Sequence, residues 1–358
     1  MKKLLLGFDL GGTKLASGVV SLNGQVMESK KDSVDFNHGV NGFLLFLEKV
    51  GQFWLKKYPT IKILGIASCG PLDVKKGILL QPTNFPRWGN ISVASYLSQK
   101  LKISVFMQND AAAVAGAEGW VGGAQRLKNW MSLTLGTGLG TGVVINRKIF
   151  MGGSGFGPEA GHFIITDKPY LCGCGNQGCA EALLSGTALW HRIQEKKHLW
   201  KTPPQNPKDL VACALKKDQV SLQIFKEYSE FLARAIHNYA VVFMPETIFF
   251  SGGVSEAQDL FLPQTTERLI TLLKNRPGYM PKLCVSKLTG GFAAGAHTAG
   301  MCARSASDNA RCESGKSSKS DTIPGGFAGR KSDSIQSNAG VLAGAWVGGF
   351  AGRKSDTI

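Results

Sequence analysis

One histidine, three cysteines and two glutamates fall within residues 157–181, GPEAGHFIITDKPYLCGCGNQGCAE. Cys172, Cys174 and Cys179 are separated by Gly173, Gly175 and Gly178, and glycine lets a backbone fold tightly enough to aim several thiolates at one point. His162, just upstream, supplies a fourth ligand. A Cys3His set satisfies tetrahedral zinc with no open position, so the expected metal is structural. Glu159 and Glu181 would be positioned by it rather than bound to it, which leaves two carboxylates for a polar ligand. The plainer alternative is a group of buried thiols or disulfide partners, but scattered core cysteines rarely fall as C-x-C-x4-C through glycines. Cys69, Cys213, Cys284, Cys302 and Cys312 lack such spacing and read as structural.

Two glycine turns suit phosphate. Asp9-Leu10-Gly11-Gly12-Thr13-Lys14 lies on the turn of an N-terminal hairpin, where paired glycines expose backbone N–H groups and Thr13 adds a hydroxyl donor. Asp9 is suited to hold Mg2+ through water, since that ion takes few carboxylates and keeps much of its hydration. The second turn is Leu135-Gly136-Thr137-Gly138-Leu139-Gly140-Thr141-Gly142. It is not the dinucleotide fingerprint, because Thr141 replaces the third glycine and a strand follows rather than a helix. Singly, each reads as a hairpin turn; together they suggest a nucleotide clamped between two lobes.

Asn109-Asp110 sits between a strand and an alanine-rich helix. Alone, the pair reads as an N-cap. Beside two phosphate loops and a carboxylate-rich knuckle, Asp110 reads as a general base, accepting a proton from a substrate hydroxyl as it attacks a γ-phosphoryl group.

The elements that must position these groups alternate. Lys3 to Phe8 and Leu15 to Ser21 read as strands, with Asn23-Gly24 a hairpin signal leading into a third. A helix over Val40 to Lys56, strands at Ile61 to Ser68 and Ile103 to Gln108, and a helix at Ala111 to Gly119 follow. Strands at Trp130 to Leu135 and Gly142 to Asn146 precede helices at Ala182 to Lys196, Lys208 to Lys216 and Val220 to Val242. Thr247 to Phe250 and Leu283 to Lys287 complete the strands, with a helix at Leu260 to Leu273 between them. This order predicts a mixed α/β protein with two related halves.

A chain of 358 residues with 43% hydrophobic content can bury a large core and is expected to form two lobes. The formal charge of +16 invites a nucleic-acid reading, but the basic residues are dispersed in doublets such as Lys56-Lys57 and Lys216-Lys217. Such doublets are solvated faces rather than a binding stripe, so no nucleic-acid partner is expected. No apolar run reaches bilayer length, and Asp9 interrupts the N-terminal leucines before they make a signal peptide. A cytoplasmic, reducing setting is expected. From about Arg304 the composition shifts to Gly, Ser, Lys and Arg, and GGFAGRKSDSI at Gly325 to Ile335 returns as GGFAGRKSDTI at Gly348 to Ile358. Residues 303–358 are read as an appended, disordered tail.

With these residues assembled, the chain resembles the ROK family of sugar kinases and repressors from Lys3 to about Cys302. DLGGTK and LGTGLGTG resemble the family's two phosphate motifs, Ser251-Gly252-Gly253-Val254 its adenosine-side glycine pair, EAGH its sugar motif and CGCGNQGCAE its zinc motif. The resemblance implies a two-lobed sugar-kinase and actin-like fold with a nucleotide and sugar cleft between the lobes. It implies a lobe of residues 1–120 completed by a C-terminal helix at 291–302, and a larger lobe of 121–290. It implies that Asn84, Asn109, Asp110, Glu159, His162 and Glu181 bind sugar hydroxyls, with ATP, Mg2+ and structural zinc as cofactors. The expected activity is phosphorylation of a hexose, glucose first, at its 6-hydroxyl, by a homodimer. Two positions depart from the family pattern: Pro158 and Thr141 each stand where glycine is usual.

Overall fold

The computed structural model describes residues 4–81, 85–153 and 155–288. The chain opens with β1 (Leu4–Leu10), β2 (Lys14–Ser21), β3 (Val26–Ser33), helix α1 (Gly39–Lys57) and β4 (Ile63–Ser68). Three short strands, β5 (Leu72–Asp73), β6 (Ile78–Leu80) and β7 (Asn90–Ile91), make a small sheet of their own. Helix α2 (Val93–Leu101), β8 (Ser104–Asn109) and helix α3 (Asp110–Trp120) follow. The later elements are β9 (Trp130–Leu135), β10 (Leu139–Ile145), β11 (Lys148–Ile149), helices α4 (Glu181–Leu184), α5 (Gly186–Lys196), α6 (Pro207–Leu215) and α7 (Gln219–Phe243), then β12 (Thr247–Ser251), α8 (Leu262–Leu272) and β13 (Lys282–Val285).

Two five-stranded sheets share one plan, β3-β2-β1-β4-β8 and β11-β10-β9-β12-β13. In each, the first three strands pair antiparallel and the last two run parallel to the central strand. The two glycine turns therefore fall at equivalent points, between β1 and β2 and between β9 and β10. The mixed α/β class and its related halves are as the alternating pattern predicts.

Each sheet has its own core. Helix α1 buries Phe43, Leu47, Val50 and Trp54, spaced along one face, and Trp54 Nε1 donates to Ser17 Oγ at 2.9 Å, tying the helix to β2. The second core forms around β9, β10 and β12, with α7 contributing Phe225, Leu232, Ile236 and Tyr239. Helix α3 leaves the first sheet at β8 but seats itself against β10. Its buried residues are mostly alanine, and a Cβ at Gly142 of β10 would collide with Ala111 O. Small residues on both sides let the helix approach the strand closely.

The sequence reading needs correction at one helix and lacks several elements. The helix expected over Ala182 to Lys196 is two, because Ser185 is extended (φ −80°, ψ 166°) and its Oγ accepts from Ala188 N at 3.0 Å as the N-cap of α5. Gly186 N then donates to Gly136 O at 2.7 Å, so the chain breaks in order to dock on the second glycine turn. Strands β5 to β7 are too short to show a period, and α2 went unread. The first hairpin, the turn at Asn23-Gly24 and helices α1, α6, α7 and α8 lie within about two residues of their expected bounds. The expected helix at 291–302, the tail at 303–358 and Asn84 lie outside the described residues. Among the described residues no helix is long and apolar enough to cross a membrane.

Candidate active site

The site is built where strand ends and helix starts converge. Asp9 lies near the end of β1, and Asn109 and Asp110 form the junction of β8 and α3. Asn109 Oδ1 accepts from Ala112 N at 3.0 Å, so Asn109 is the helix cap. Asp110 opens the helix and accepts from its neighbour's N–H, Ala111, at 2.7 Å. The cap reading thus holds for Asn109, and Asp110 lies beside it on the wall of a cavity of about 970 Å³.

That cavity gathers most of the residues expected at a site. Asp9, Asn109, Asp110, Glu159, His162 and Glu181 line it. Gly136, Thr137 and Gly138 of the second turn line it too, with Gly252 and Gly253 at the end of β12. Gly11, Gly12, Thr13 and Lys14 do not line it, although Asp9 of the same hairpin does.

Burial dominates the electrostatics. It pushes the Asp9 carboxyl up to about 7, helped by the negative charge of Asp110 and opposed by Lys31. Burial likewise raises Asp110, against hydrogen bonds from backbone N–H groups that favour its charged form. It raises Glu159, with His162 opposing and Asp110 and Glu181 adding repulsion. Several carboxylates crowded in one cavity make a place that favours a cation and a proton acceptor tuned toward neutral pH.

The knuckle stands behind the cavity. His162 closes a 3-10 turn (Ala160–His162) that follows Glu159. Residues 163–165 pair with 178–180 through Ile165 N to Gly178 O and Ala180 N to Phe163 O, which brings His162 next to Cys179. Gly178 has φ +75°, and a Cβ there would collide with Thr166 O, so only glycine completes this return. One donor atom each from His162, Cys172, Cys174 and Cys179 lies within 4.8 Å of the others. His162 Nδ1 is 3.5 Å from Cys172 Sγ, and Cys174 Sγ is 3.8 Å from Cys179 Sγ. A tetrahedral zinc with sulfur bonds of about 2.3 Å requires sulfur–sulfur edges of roughly 3.8 Å, so the donor set fits. None of the three cysteines is in a disulfide. Asn176 Nδ2 donates to Cys174 Sγ at 3.7 Å, the kind of outer contact that supports a thiolate.

Glu181 joins the knuckle to the second glycine turn. Its Oε1 lies 3.6 Å from Cys172 Sγ, while its Oε2 accepts from Leu139 N at 2.9 Å. Helix α5 grips the same turn: Gly186 N donates to Gly136 O, and Thr187 Oγ1 donates to Thr137 O at 2.8 Å.

A second cavity of about 740 Å³ adjoins the first and shares Gly136, Thr137 and Gly253 with it. Its further walls are largely apolar, with Leu189, Trp190, Pro207 and Val211, alongside Asn206 and Lys208. Sequence reasoning missed these residues. On α5 and at the start of α6 they look like ordinary amphipathic surface, and no local spacing marks them.

Comparison with known proteins agrees with this architecture. The glucokinase of Thermotoga maritima is 32% identical over 282 residues, covering 75% of this chain and 88% of that protein. The xylose repressor of Caldicellulosiruptor bescii is 27% identical over 297 residues, covering 79% of this chain and 74% of the repressor. Among solved structures, a ROK family glucokinase from Streptomyces griseus, in complex with glucose and AMPPNP, superposes with a TM-score of 0.71 at 27% identity. The match covers 84% of this chain and 99% of that one. The ROK family model matches residues 5–298, and the chain belongs to the ROK family.

Proposed function

We propose that the protein is an ATP-dependent sugar kinase that transfers the γ-phosphoryl group to the 6-hydroxyl of a hexose, with glucose the first candidate. The observation that carries this reading is the juxtaposition of two cavities at one glycine turn. One holds a cluster of carboxylates and an amide suited to sugar hydroxyls, the other apolar walls suited to a nucleobase. The likeness to the Thermotoga maritima glucokinase supports the same reading.

In this reading Asn109, Asp110, Glu159, His162 and Glu181 hold the sugar hydroxyls, as does Asn84. Asp110 accepts the proton of the attacking hydroxyl. Burial raises its affinity for protons, the direction that suits a group taking a proton from a hydroxyl. Thr137 and Gly138 present backbone N–H groups and a hydroxyl to the phosphates, Gly136 closes the turn around them by donating to Gly138 O at 3.0 Å, and Gly252 and Gly253 flank the adenosine, whose base occupies the second cavity. Gly11, Gly12, Thr13 and Lys14 meet the phosphates when the cleft closes. Mg2+, when bound with ATP, would neutralise phosphate charge, and Asp9 would hold it through water. His162, Cys172, Cys174 and Cys179 would hold zinc, which supplies rigidity rather than chemistry. The division into lobes near residue 120 belongs to the same proposal.

An ADP-release assay with Mg-ATP and a panel of glucose, mannose, fructose, N-acetylglucosamine and N-acetylmannosamine tests it. Turnover is expected with one sugar, glucose foremost, and Asp110→Asn should cut kcat by about 10²–10⁴ while leaving sugar binding intact. Near-normal turnover in that variant would remove Asp110 from its role. Silence across the panel, with sugar still bound in calorimetry, would make the chain a sensor, the class suggested by its likeness to a xylose repressor.

A further inference from the structure

Thr141 and Pro158, read from the sequence as departures from the family pattern, touch each other. Thr141 Oγ1 donates to Pro158 O at 2.6 Å and accepts from Ala160 N at 3.1 Å. One buried hydroxyl thus holds the peptide units on both sides of Glu159, using its donor and an acceptor lone pair at once. Thr141 lies on β10, just beyond the second glycine turn, seventeen residues before Pro158 in sequence.

We propose that Thr141 is a positioning residue for Glu159, and that Thr141 and Pro158 act as a pair. The need for such a clamp is electrostatic. The Glu159 carboxylate shares its cavity with Asp110 and Glu181, whose charges repel it. A flexible backbone would let it swing away from them. Here the turn is restrained three ways: Thr141 from β10, Tyr239 Oη of α7 donating to Ala160 O at 2.9 Å, and His162 N donating to Glu159 O at 2.9 Å. Proline fixes its own φ, and the Thr141 hydroxyl fixes the carbonyl that follows. Glycine at both positions would supply neither restraint. Because Thr141 also belongs to the strand leaving the second turn, the carboxylate and that turn share one rigid support.

The proposal leans on the sugar-kinase reading only for its kinetic arm. Thr141→Val removes the hydroxyl at nearly constant volume, and Thr141→Ser restores it. Amide hydrogen exchange over residues 157–163 should quicken by about tenfold in the valine variant and return to the wild-type rate in the serine variant, the order expected for losing a buried hydrogen bond or two. The sugar KM should rise by about tenfold in step, with kcat and the ATP KM within about twofold of wild type. Zinc content, read by atomic emission, should not change. Should valine prevent folding by setting a methyl against the Pro158 carbonyl, Thr141→Ala gives the same readouts without that methyl. Unchanged exchange at 157–163 overturns the proposal, as does faster exchange with an unmoved sugar KM or a serine variant that fails to restore both. A wild-type chain that phosphorylates no hexose defeats the kinase reading instead, and the exchange comparison then decides the role of Thr141 alone.

Discussion

In the β1–β2 turn, Gly11 N donates to Lys14 O and Thr13 O accepts from Val34 N, so among the described residues its backbone bonds stay within neighbouring strands. The equivalent β9–β10 turn is held from three distant elements: Glu181 of α4 at Leu139 N, Gly186 and Thr187 of α5 at Gly136 O and Thr137 O, and Thr141 reaching the segment around Glu159. The same hairpin, placed at the same point of two sheets with one strand order, is therefore held locally in one half and braced by distant elements in the other. Preorganised donors do not have to be arranged at the moment of reaction. In the proposed reading the braced turn sets the geometry of the site, while the first turn, among the described residues, is held only by its neighbours.

Removing the metal should strain the comparison most. Cys179→Ser, or a strong chelator, should cost roughly 3–5 kcal/mol of stability and weaken sugar binding in parallel, because the knuckle includes His162 and touches Glu181 through Cys172. Thermal melts and calorimetry on one preparation read both quantities, and indifference to the chelator would mean that no structural zinc is present. Glu181→Ala should lower kcat/KM about a hundredfold for sugar and for ATP alike, since it releases Leu139 N as well as a carboxylate from the cavity. A change confined to the sugar would reduce the brace to a bystander. Thr13→Val, in the locally held turn, should lower kcat/KM for ATP about tenfold with no shift in melting temperature, the opposite signature from the braced side. Ser185→Ala removes the cap of α5 and should cost about 1 kcal/mol of stability, with a slight rise in the ATP KM as α5 slackens against Gly136. Equal melts for Ser185→Ala and wild type would show that the helix break is held by Gly186 alone.

Features that a local stretch dictates could be read from the sequence. The Cys-Gly spacing and His162 lie within eighteen residues, and the structure brings all four donors together. Helices α1 and α7 announce themselves because one long face is buried at a helical period. The break at Ser185 has a local part, the serine cap of α5, and a distant part that no local pattern shows, the docking of Gly186 N on the Gly136 carbonyl fifty residues earlier. The Trp190 and Lys208 walls of the second cavity were hidden for a similar reason, since two helices and a turn must first be juxtaposed. The sequence marked Thr141 and Pro158 as oddities, but only the fold makes them partners.

The close seating of α3 on β10 has a consequence for how this chain tolerates change. A Cβ at Gly142 would collide with Ala111 O and approach Ala115 Cβ to 2.7 Å, and one at Gly140 would come within 3.0 Å of Ala111 Cβ. A side chain at 142 would meet backbone whatever stands at 111 or 115, so that position demands glycine, whereas a methyl at 140 competes with the one at 111 for the same space. Asp110 opens that helix, so the first symptom of an uncompensated gain would be a misaimed carboxylate in a protein that still folds.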